Sequence, residues 1–436
     1  MSSKKKNTDT KEEGKPALVP KLRFPEFRGT EGWEGTTLSK IANPVSERAI
    51  QGEEDNVLSL SGEHGIVLQS QFFGKKVAGD NAERYLRIAR NDFVYNDRTT
   101  KASTFGTIKR LSKHPGGIVS PIYKCFRFQD DENPVFWEWY FESGIHNKAL
   151  AGLVNEGARA GRFNISITQF LSTGVWRPGE AEQQKIAECL SSVNELIVAQ
   201  ARKVDALKTH KKWLMQQLFP REGETQPRLR FPEFKNAGEW EEKTLDQLVD
   251  VQSGGTPSKA NPEFWNGSIP WVSAKDMKQL FLVDTEDLIS TAALDDGAKL
   301  VPSGTLLILI RGMTLLKDVP ICVLRREMTF NQDVKALRPK DDVDAFFLGW
   351  LLTANKQRLR EMVGIAGHGT GKIDTDELKA FLLAIPPPAE QERIADCLTS
   401  LDDLIAAQTQ KLDALKTYKK GLMQQLFPSP EEVVAG

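Results

Sequence analysis

Residues that build metal centres and disulfide frameworks are scarce in this sequence. Its 436 residues include four cysteines and five histidines. The cysteines lie far apart, and none belongs to a Cys-x-x-Cys pair or to a Cys/His cluster. Zinc sites and disulfide scaffolds depend on such spacings, so we expect no metal site and a reducing, cytoplasmic compartment.

Long apolar runs and a surplus of charge are also lacking. No stretch reaches the ~20 apolar residues that a helix needs to cross a bilayer, and no apolar signal-peptide core follows Met1. We therefore expect no membrane partner. Lys and Arg total 58 against 59 Asp and Glu, for a net charge of −1. A nucleic acid would consequently have to be held by local basic patches rather than by an overall positive field.

Sequence motifs for catalysis are incomplete. Gly367–Lys372 resembles a phosphate-binding loop but is one residue too short, and Ile373 replaces the Ser or Thr that would bind magnesium. Asn261–Phe264 approaches the Asn-Pro-Pro-aromatic motif of adenine methyltransferases, but it lacks the second proline, and no glycine-rich nucleotide loop accompanies it. The scattered histidines and carboxylates match no triad or metal spacing. We interpret the first segment as a loop or turn that could approach DNA and the second as a turn, and we expect no enzyme.

What the sequence does contain is a long repeat. Residues 182–220 and 390–428 are identical at most aligned positions. The two copies are 208 residues apart, from Glu182 to Glu390. A solenoid repeat has only ~20–50 residues, so the duplicated unit must be a whole domain together with this segment.

Each copy is predicted to be a long helix with a narrow apolar seam. Apolar residues recur in alternating steps of four and three, a pattern typical of coiled coils. Two slots in the seam are polar in both copies, Gln200 with Gln408 and Lys211 with Lys419. The predicted seam consists of Ile186, Leu190, Val193, Ile197, Val204, Leu207, Leu214 and Leu218 in the first helix, and of Ile394, Leu398, Leu401, Ile405, Leu412, Leu415, Leu422 and Leu426 in the second.

A narrow seam needs a partner, and the other copy is the simplest one. Because domain termini often lie close together, the second helix should begin near the end of the first and run back along it, giving an antiparallel intramolecular coiled coil. A parallel pair would set Gln200 against Gln408, and the seam pattern alone does not decide between the two directions. In a third arrangement, each helix packs onto its own domain.

The repeat extends beyond the helices. Leu22–Phe27 and Leu229–Phe234 both read LRFPEF, and Ile165–Phe170 aligns with Ile373–Leu378 shortly before the two helices. These borders predict a disordered tail (1–19), a first domain (20–177), a first long helix (178–220), a linker (221–227), a second domain (228–385), a second long helix (386–428) and a C-terminal tail (429–436).

Between the borders, both domains are predicted to be mixed α/β (α+β). Turn-bounded apolar runs such as Asp92–Tyr95 and Thr305–Ile310 predict short strands, whereas Val135–Phe141 and Phe346–Leu359 predict helices. The two interiors differ in sequence although their borders repeat. This is expected of a duplicated reader of two different targets, and ordinary drift after duplication is the alternative.

Several motifs of the second domain resemble those of a known family. They are Ser253–Ser258 (SGGTPS), Phe264–Ser273 (FWNGSIPWVS), Lys275–Met277 (KDM), the approach Gly367–Lys372, and the closing Met423–Pro428 (MQQLFP). Together with the tandem layout, they resemble the specificity subunits of type I restriction–modification systems, which consist of two target recognition domains and two long helices. The resemblance covers most of residues 20–428. The tandem repeat with these motifs is specific, whereas any one motif would be weak.

The resemblance implies a DNA-recognition subunit without catalytic activity. Each target recognition domain would read one half of a bipartite double-stranded DNA target, and the two helices, packed antiparallel, would set the spacer. The implied partners are two methyltransferase (M) subunits and the restriction (R) motor subunits, in a bacterial or archaeal cytoplasm. This chain would bind no cofactor, because S-adenosylmethionine, and ATP with magnesium, would belong to the partner subunits.

Reading bases requires hydrogen-bonding side chains in each domain, whereas phosphate contacts only position the protein. In the first domain the candidates follow a strand end and occupy a Gly-Arg loop: Asn96, Arg98, Thr99, Lys101, Arg159, Arg162 and Asn164. In the second domain they are Lys259, Lys275, Arg311, Asn331, Gln332, His368 and Lys372. For each residue the alternative is a solvated or ion-paired surface group.

Two other functions stay open on the sequence. A coiled-coil scaffold would bind proteins at its end domains without reading sequence, and its binding to DNA would be absent or insensitive to salt. An unrecognised DNA-modifying enzyme would transfer methyl groups as an isolated chain. Two divergent domains with many Arg, Asn and Gln residues favour the reader.

Overall fold

The computed structural model describes residues 17–50, 56–73, 82–100, 103–153 and 163–428. The chain divides into two compact units: residues 1–199 with 412–436, and residues 200–411. Each unit therefore combines one globular part with pieces of both long helices. The division falls inside the helices rather than at the predicted domain borders.

The described residues of the first unit form short strands and helices around three small sheets. Its strands are β1 (Ala17–Leu18), β2 (Trp33–Thr37), β3 (Ala42–Pro44), β4 (Val57–Ser61), β5 (Gly65–Leu68), β6 (Leu86–Ala89), β7 (Phe93–Asn96), β8 (Thr107–Arg110), β9 (Gly116–Val119), β10 (Lys124–Phe128) and β11 (Gly174–Arg177). Its helices are α1 (Leu38–Ile41), α2 (Gln69–Phe73), α3 (Pro134–Glu142), α4 (Asn147–Ala151), α5 (Ile167–Leu171) and the long α6 (Glu180–Leu218), which continues into the second unit. The sheet orders are β1-β2-β11, β3-β10-β7-β8 and β5-β4-β9-β6.

The core of the first unit lies where β7 and β10 meet α3. Phe93, Val94 and Tyr95 of β7 are fully buried, because this strand is covered on both faces. Phe93 stacks on Phe126 with ring centres 5.3 Å apart. Helix α3 begins at a well-defined cap, since the Asn133 side chain accepts hydrogen bonds from two backbone N–H groups of the first turn.

The second unit has a larger main sheet. Its strands are β12 (Glu241–Thr244), β13 (Val249–Ser253), β14 (Ile269–Val272), β15 (Phe281–Leu282), β16 (Asp287–Ile289), β17 (Leu306–Leu309), β18 (Arg311–Gly312), β19 (Ile321–Leu324), β20 (Thr329–Phe330), β21 (Val334–Pro339), β22 (Gly364–Ile365), β23 (Gly371–Lys372) and β24 (Leu382–Ile385). Its helices are α7 (Leu245–Leu248), α8 (Ala292–Asp295), α9 (Ala345–Ala354), α10 (Lys356–Glu361), α11 (Thr375–Lys379) and the long α12 (Pro388–Leu426), whose end belongs to the first unit. The main sheet has the order β13-β21-β17-β19-β15, and smaller sheets have the orders β16-β14-β20, β18-β23-β22 and β12-β24.

The two units share a three-stranded centre. In the first unit β10 pairs with β3 and β7, and in the second β21 pairs with β13 and β17, all antiparallel. Phe126 is the residue of β10 that faces Phe93, and Leu337 is the residue of β21 that faces Leu306. Pro44 faces Phe126 and Val251 faces Leu337, and Pro44 and Val251 are 207 residues apart, as are the two LRFPEF motifs. The registers therefore identify Phe93 and Leu306 as equivalent positions in two interiors whose sequences have diverged.

A buried ion pair joins the repeated border motif to the start of each long helix. Arg23 donates to both carboxylate oxygens of Glu182 at 2.8 and 2.7 Å. In the second unit Arg230 donates to Glu390 in the same forked way, at 2.7 and 2.6 Å. Each guanidinium also donates to two backbone carbonyls of its own border segment. The motif LRFPEF therefore serves to tie each globular part to its helix.

Within each unit, the segments of α6 and α12 lie side by side. In the first unit Leu422 and Leu426 share a core cluster with Ile186 and Leu190. All sixteen predicted seam residues are buried or half-buried. The seam is therefore apolar surface removed from water, which is the dominant stabilising contribution to helix packing.

The direction of the helix segments is visible from successive contacts in the second unit. The Gln200 side chain donates to the Gln408 backbone and side-chain oxygens, both at 2.9 Å. Further along, Lys211 bonds to Asp402. Residue numbers rise along α6 while they fall along α12, so the segments run in opposite directions. The contact that the sequence associated with a parallel pair thus forms in an antiparallel arrangement.

Two predictions about local structure were wrong. Ala17–Leu18 is not part of a disordered tail, because it pairs with Trp33 and Glu34 at the edge of a sheet and buries Leu18. The helix predicted over Phe346–Leu359 is two helices, since Asn355 ends α9 and begins α10 outside helical geometry. The predicted tails at residues 1–16 and 429–436 lie outside the described residues.

We predict that the buried ion pair is needed for the stability of the second unit. Arg230→Met leaves Glu390 charged and fully buried without its partner, which costs about 3–5 kcal/mol. A loss of that size lowers the melting temperature by at least about 6 °C. Calorimetry of the full chain measures this.

The matched control is Arg393→Met. Arg393 pairs with Glu233 at 3.1 Å, but both side chains are about half exposed. Exposed ion pairs contribute less than about 1 kcal/mol. Equal destabilisation by the two variants would contradict a special role for the buried pair.

Candidate nucleic-acid interface

In the first unit, the candidate interface is the end of strand β7. Asn96 is its last residue, and its side-chain oxygen accepts a hydrogen bond from the Arg98 backbone N–H at 3.2 Å. Arg98 is exposed and Thr99 is half-buried. The strand end thus turns out of the sheet and presents its polar side chains to solvent.

A buried aspartate joins this turn to a second loop. Asp97 is fully buried and receives hydrogen bonds from the Lys124 ammonium at 2.6 Å and from the Ile165 backbone N–H at 3.2 Å. Its backbone oxygen accepts from the Phe163 N–H. Asn164 lies between these two donors, is exposed and has a φ of 53°. Asn164 is therefore held close to Asn96 and Arg98, although the sequence separates them widely.

The base of this turn is tightly packed. Gly106 has a φ of 82°, and a Cβ atom there would meet the Asn96 carbonyl oxygen at 2.4 Å. Tyr95 donates its hydroxyl to the Phe105 carbonyl at 3.1 Å. Burial, with a smaller contribution from the Asp97 carboxylate, raises the pKa of Tyr95, so this phenol stays protonated. The base of the turn is consequently closely packed around Tyr95 and Gly106. The predicted residues Lys101, Arg159 and Arg162 lie outside the described residues.

In the second unit, a small three-stranded ribbon carries three of the candidates. Arg311 in β18 lies directly opposite Lys372 in β23, so both side chains extend from the same face. His368 belongs to a short 3₁₀ turn, Gly367–Gly369, between β22 and β23. The segment that resembled a phosphate loop is therefore part of a ribbon with two exposed basic residues. Lys372 also lies 3.7 Å from Asp374.

A second group of candidates lies at the same end of the main sheet. Asn331 and Gln332 precede β21, and the Gln332 side-chain oxygen accepts from the Thr256 hydroxyl. The Ile310 N–H donates to the Asp333 carbonyl at 2.9 Å, and Ile310 directly precedes Arg311. The loop at 331–333 is thereby tied to the ribbon. These side chains form one polar edge.

The glycines of the SGGTPS segment allow its backbone to pack directly against the neighbouring loops of the polar edge. A Cβ atom on Gly254 would lie 2.3 Å from the Asn331 carbonyl oxygen. On Gly255 it would lie 2.2 Å from the Gly297 oxygen. The backbone of this segment therefore approaches both neighbours more closely than any side chain would permit.

Two of the predicted lysines have other partners. Lys275 forms ion pairs with Asp287 at 3.0 Å and Glu286 at 3.2 Å, and hydrogen bonds to these carboxylates raise its pKa. Its ammonium is thus shared with acidic neighbours. Lys259 is exposed and lies 6.0 Å from the centre of the Trp265 ring.

The strand registers show that candidates in the two units are equivalent. Counting from Phe93 and Leu306, which face equivalent residues, Arg98 and Arg311 are each five positions further along the chain. Asn164 and Lys372 each precede an isoleucine whose N–H bonds to the residue before that arginine. Each unit therefore places an arginine and a second polar residue at the same sheet end.

Sequence reasoning missed Lys124 and Lys335, which are also equivalent. Lys124 faces Tyr95 across the strands, and Lys335 faces Ile308. Lys335 donates to the Ser253 hydroxyl at 2.5 Å. Aligning the two units at the fixed shift of the long helices could not have matched these lysines, because the loops between the strands differ in length in the two units. Asp97 was missed as well, and its place directly after a strand was the available signal.

The described part of the chain contains no group of three or more His, Cys, Asp or Glu residues arranged to hold a metal ion. Within the same residues, no helix combines the length and the apolar character required to span a bilayer.

Residues 237–417 match the family described as the type I restriction modification DNA specificity domain. This part of the chain is therefore similar to a type I specificity domain. The matched stretch contains the ribbon, the SGGTPS segment and the loop at 331–333.

The predicted resemblance to type I specificity subunits is confirmed by relatives. The chain is 33% identical over 205 residues to the Escherichia coli EcoR124I/EcoR124II specificity subunit, covering 45% of this chain and 50% of that protein. It is 27% identical over 194 residues to the MjaIX specificity subunit of Methanocaldococcus jannaschii, covering 43% and 44%. The matches thus span about half the length of these relatives.

Solved structures share the mixed α/β fold of this chain. The type I restriction–modification S subunit from M. genitalium superposes with a TM-score of 0.58 at 13% identity, covering 94% of this chain and 99% of that one. A chain from a study of assembly and conformational transition of the type I R-M system gives 0.53 at 17% identity, covering 91% and 98%. At these identities the likeness concerns the fold.

We predict that Gly254 is required for the polar edge of the second unit. Gly254→Ala forces the backbone away from Phe330 and Asn331, and such overpacking costs about 1–3 kcal/mol. Amide hydrogen exchange should therefore accelerate at residues 253–258 and 329–333. Gly238→Ala is the control, because nothing lies within 4 Å of a Cβ atom there. Unchanged exchange in Gly254→Ala would show that the edge tolerates displacement.

Proposed function

We propose that this chain is the DNA sequence-recognition subunit of a type I restriction–modification complex, and that each unit reads one half of a bipartite target. The observation that carries the proposal is the shared placement of Arg98 with Asn164 and of Arg311 with Lys372. Two sites at equivalent sheet ends with different side chains suit two half-sites of different sequence. The relatives, all named specificity subunits, support this function.

The side chains of these two sites suit base reading. Arginine can donate two hydrogen bonds to guanine O6 and N7, and lysine favours the same acceptors. Asparagine can bond to both adenine N6 and N7. Each good contact of this kind discriminates by about 1–3 kcal/mol against the wrong base. The first unit then has a guanine and an adenine reader at positions where the second has two guanine readers.

The long helices would form an antiparallel intramolecular coiled coil that sets the spacer. Their charge supports this direction. Residues 180–199 contain four acidic and one basic side chains, whereas 200–218 contain one acidic and five basic. Residues 388–411 contain five acidic and two basic side chains, and 412–426 contain one acidic and three basic. An antiparallel pair sets acidic halves against basic ones, and a parallel pair would set like charges together.

The rest of the proposal concerns partners and chemistry. The helices would dock two methyltransferase (M) subunits, and the complex would include restriction (R) subunits. This chain would not be an enzyme and would hold no cofactor. Its partners would bind S-adenosylmethionine, and ATP with magnesium.

We predict that the chain directs methylation to a bipartite motif. The chain is expressed in a methylation-free host together with the M subunit that is encoded beside it. Long-read sequencing then maps the modified adenines. The M subunit alone is the control. A two-part motif that appears only with this chain is expected. A stable complex without any new motif would instead support a protein-binding scaffold.

The same assay tests the equivalent arginines. Arg98→Ala should relax one half-site, and Arg311→Ala the other, each at a single position. Lys278→Ala in the second unit is a suitable control, because this exposed lysine lies outside the edge. A change in both halves after one substitution would contradict the division of labour.

We also predict that helix length sets spacer length. Seven residues inserted after Gln200 and seven after Gln408 keep the seam in phase and lengthen each helix by about 10 Å. The spacer should grow by up to about 3 base pairs, because base pairs stack 3.4 Å apart along each strand. Both half-sites should stay unchanged in the methylome. Insertions of three residues break the phase of the seam and should abolish methylation. An unchanged spacer after the seven-residue insertions would show that helix length does not set the spacer.

A further inference from the structure

A lysine-rimmed cavity occurs in each unit beside the end of a long helix. In the second unit the cavity measures about 920 Å³, and Lys208, Lys211 and Lys212 line it. In the first unit it measures about 420 Å³, and Lys416, Lys419 and Lys420 line it. These lysines occupy equivalent positions of the repeat. Sites for ligands commonly have volumes of ~300–1,000 Å³.

The middle lysine of each set is held in place. The Lys211 ammonium lies 4.5 Å from the Trp350 ring centre and bonds to Asp402. Lysine at this distance from an aromatic face is attracted by the ring. It is therefore a positioning residue that holds the cavity wall.

The equivalent lysine of the first unit is neutralised by a different residue. Lys419 lies 4.2 Å from the Trp139 ring centre, and it contacts Glu142 at 3.3 Å and Asn194 at 3.0 Å. Asn194 occupies the position of Asp402, so the carboxylate now comes from α3. Both units thus keep a charge-balanced lysine against tryptophan although the acidic partner has moved.

The outer lysines are exposed and poorly balanced. Lys208 and Lys212 are four residues apart on one helix, a spacing at which like charges repel. Within the described residues, neither lies within ion-pair distance of a carboxylate, and the same holds for Lys420. Lys416 has only an exposed neighbour, Asp413, on its own helix at 3.6 Å.

Each cavity therefore has a positive rim. Five basic and three acidic side chains line the cavity of the second unit. Three basic and one acidic side chains line that of the first. Each cavity thus has two positive charges in excess, and an acidic group would relieve the repulsion.

The cavity walls also contain apolar side chains. Met215 and Ile405 contribute to the wall in the second unit, and the equivalent Met423 and Ile197 in the first. Methionine adapts its shape to what it contacts. Such a wall offers a place for an apolar side chain, which a DNA phosphate backbone does not supply.

We propose that each cavity docks an acidic segment of a partner protein. An apolar side chain of that segment packs against the methionine, and flanking carboxylates pair with the outer lysines. Because the two cavities present the same groups, the chain binds two copies of one partner. The inference rests on the proposed function, in which that partner is the M subunit.

The test uses the full chain co-expressed with its neighbouring M subunit. The variants are K208E/K212E, K416E/K420E and the combination of all four substitutions. Native mass spectrometry measures how many M subunits each chain carries. The double variants should retain one copy and bind the second at least about tenfold more weakly, and the combined variant should lose both.

The matched control is R202E/K203E. It makes the same charge change at exposed residues of α6 that do not line the cavity. A second control, K208R/K212R, keeps the positive charge and should keep both copies. Melting temperatures verify that every variant folds, which is expected because the substituted side chains are exposed.

The outcomes separate the alternatives. Two M subunits on the combined variant at unchanged affinity would overturn the proposal. Unchanged M binding with weaker, less salt-dependent DNA binding would also overturn it and assign the lysines to DNA phosphates. A wild-type chain that binds no M subunit would overturn both this inference and the proposed function. If the wild-type complex methylates its motif and the lysine variants bind M subunits as well as the wild type does, the docking site is refuted but the proposed function stands.

Discussion

The buried pairing of arginine with glutamate is the interaction on which each unit depends. It is formed between a border motif and the first turn of a long helix, and it is repeated in both units. A charge removed from water is tolerated only with a well-aligned partner, so the geometry of the border and the helix must be kept together. The forked hydrogen bonds give that alignment, because a guanidinium and a carboxylate fit in one plane. The globular part of each unit is thereby held at a defined place on its helix.

Some structural features are the same in the two units and others differ. The border motif, the seam and the lysine–tryptophan contacts recur, whereas the side chains at the polar edges differ. Asn194 stands where the other repeat has Asp402, and Glu142 supplies the negative charge there from another helix. A buried or half-buried ammonium needs a counter-charge, but that counter-charge can come from any element that reaches it. This explains how the same contact survives while its sequence signature disappears.

The candidate interface in each unit consists of loops that are far apart in the sequence and are joined by hydrogen bonds. It is not a contiguous sequence motif. Asp97 joins the turn after β7 to the loop at Asn164, and Ile310 joins the ribbon to the loop at 331–333. Sequence reasoning selected Arg98, Asn164, Arg311 and Lys372 separately. The repeated borders already aligned Asn164 with Lys372, but nothing in the sequence matched Arg98 with Arg311 or placed either arginine beside its partner. The pairing follows from strand registers, and those depend on insertions that differ between the units. Lys275 was also selected from the sequence, but it forms ion pairs with nearby carboxylates whose positions the sequence did not reveal.

The sequence by itself determined the duplicated plan, the long helices and their seam, and the position of several central strands. These features are local or periodic, and hydrophobic spacing reports them directly. It did not determine the pairing of Ala17–Leu18, the break at Asn355, or the partners of the charged side chains. The seam left the direction of the helices open because an apolar stripe is symmetrical, although the acidic and basic halves held a usable signal. Only the tertiary structure brought Gln200 to Gln408 and placed the polar candidates of both units at equivalent sheet ends, because contacts between distant residues depend on how the chain closes on itself.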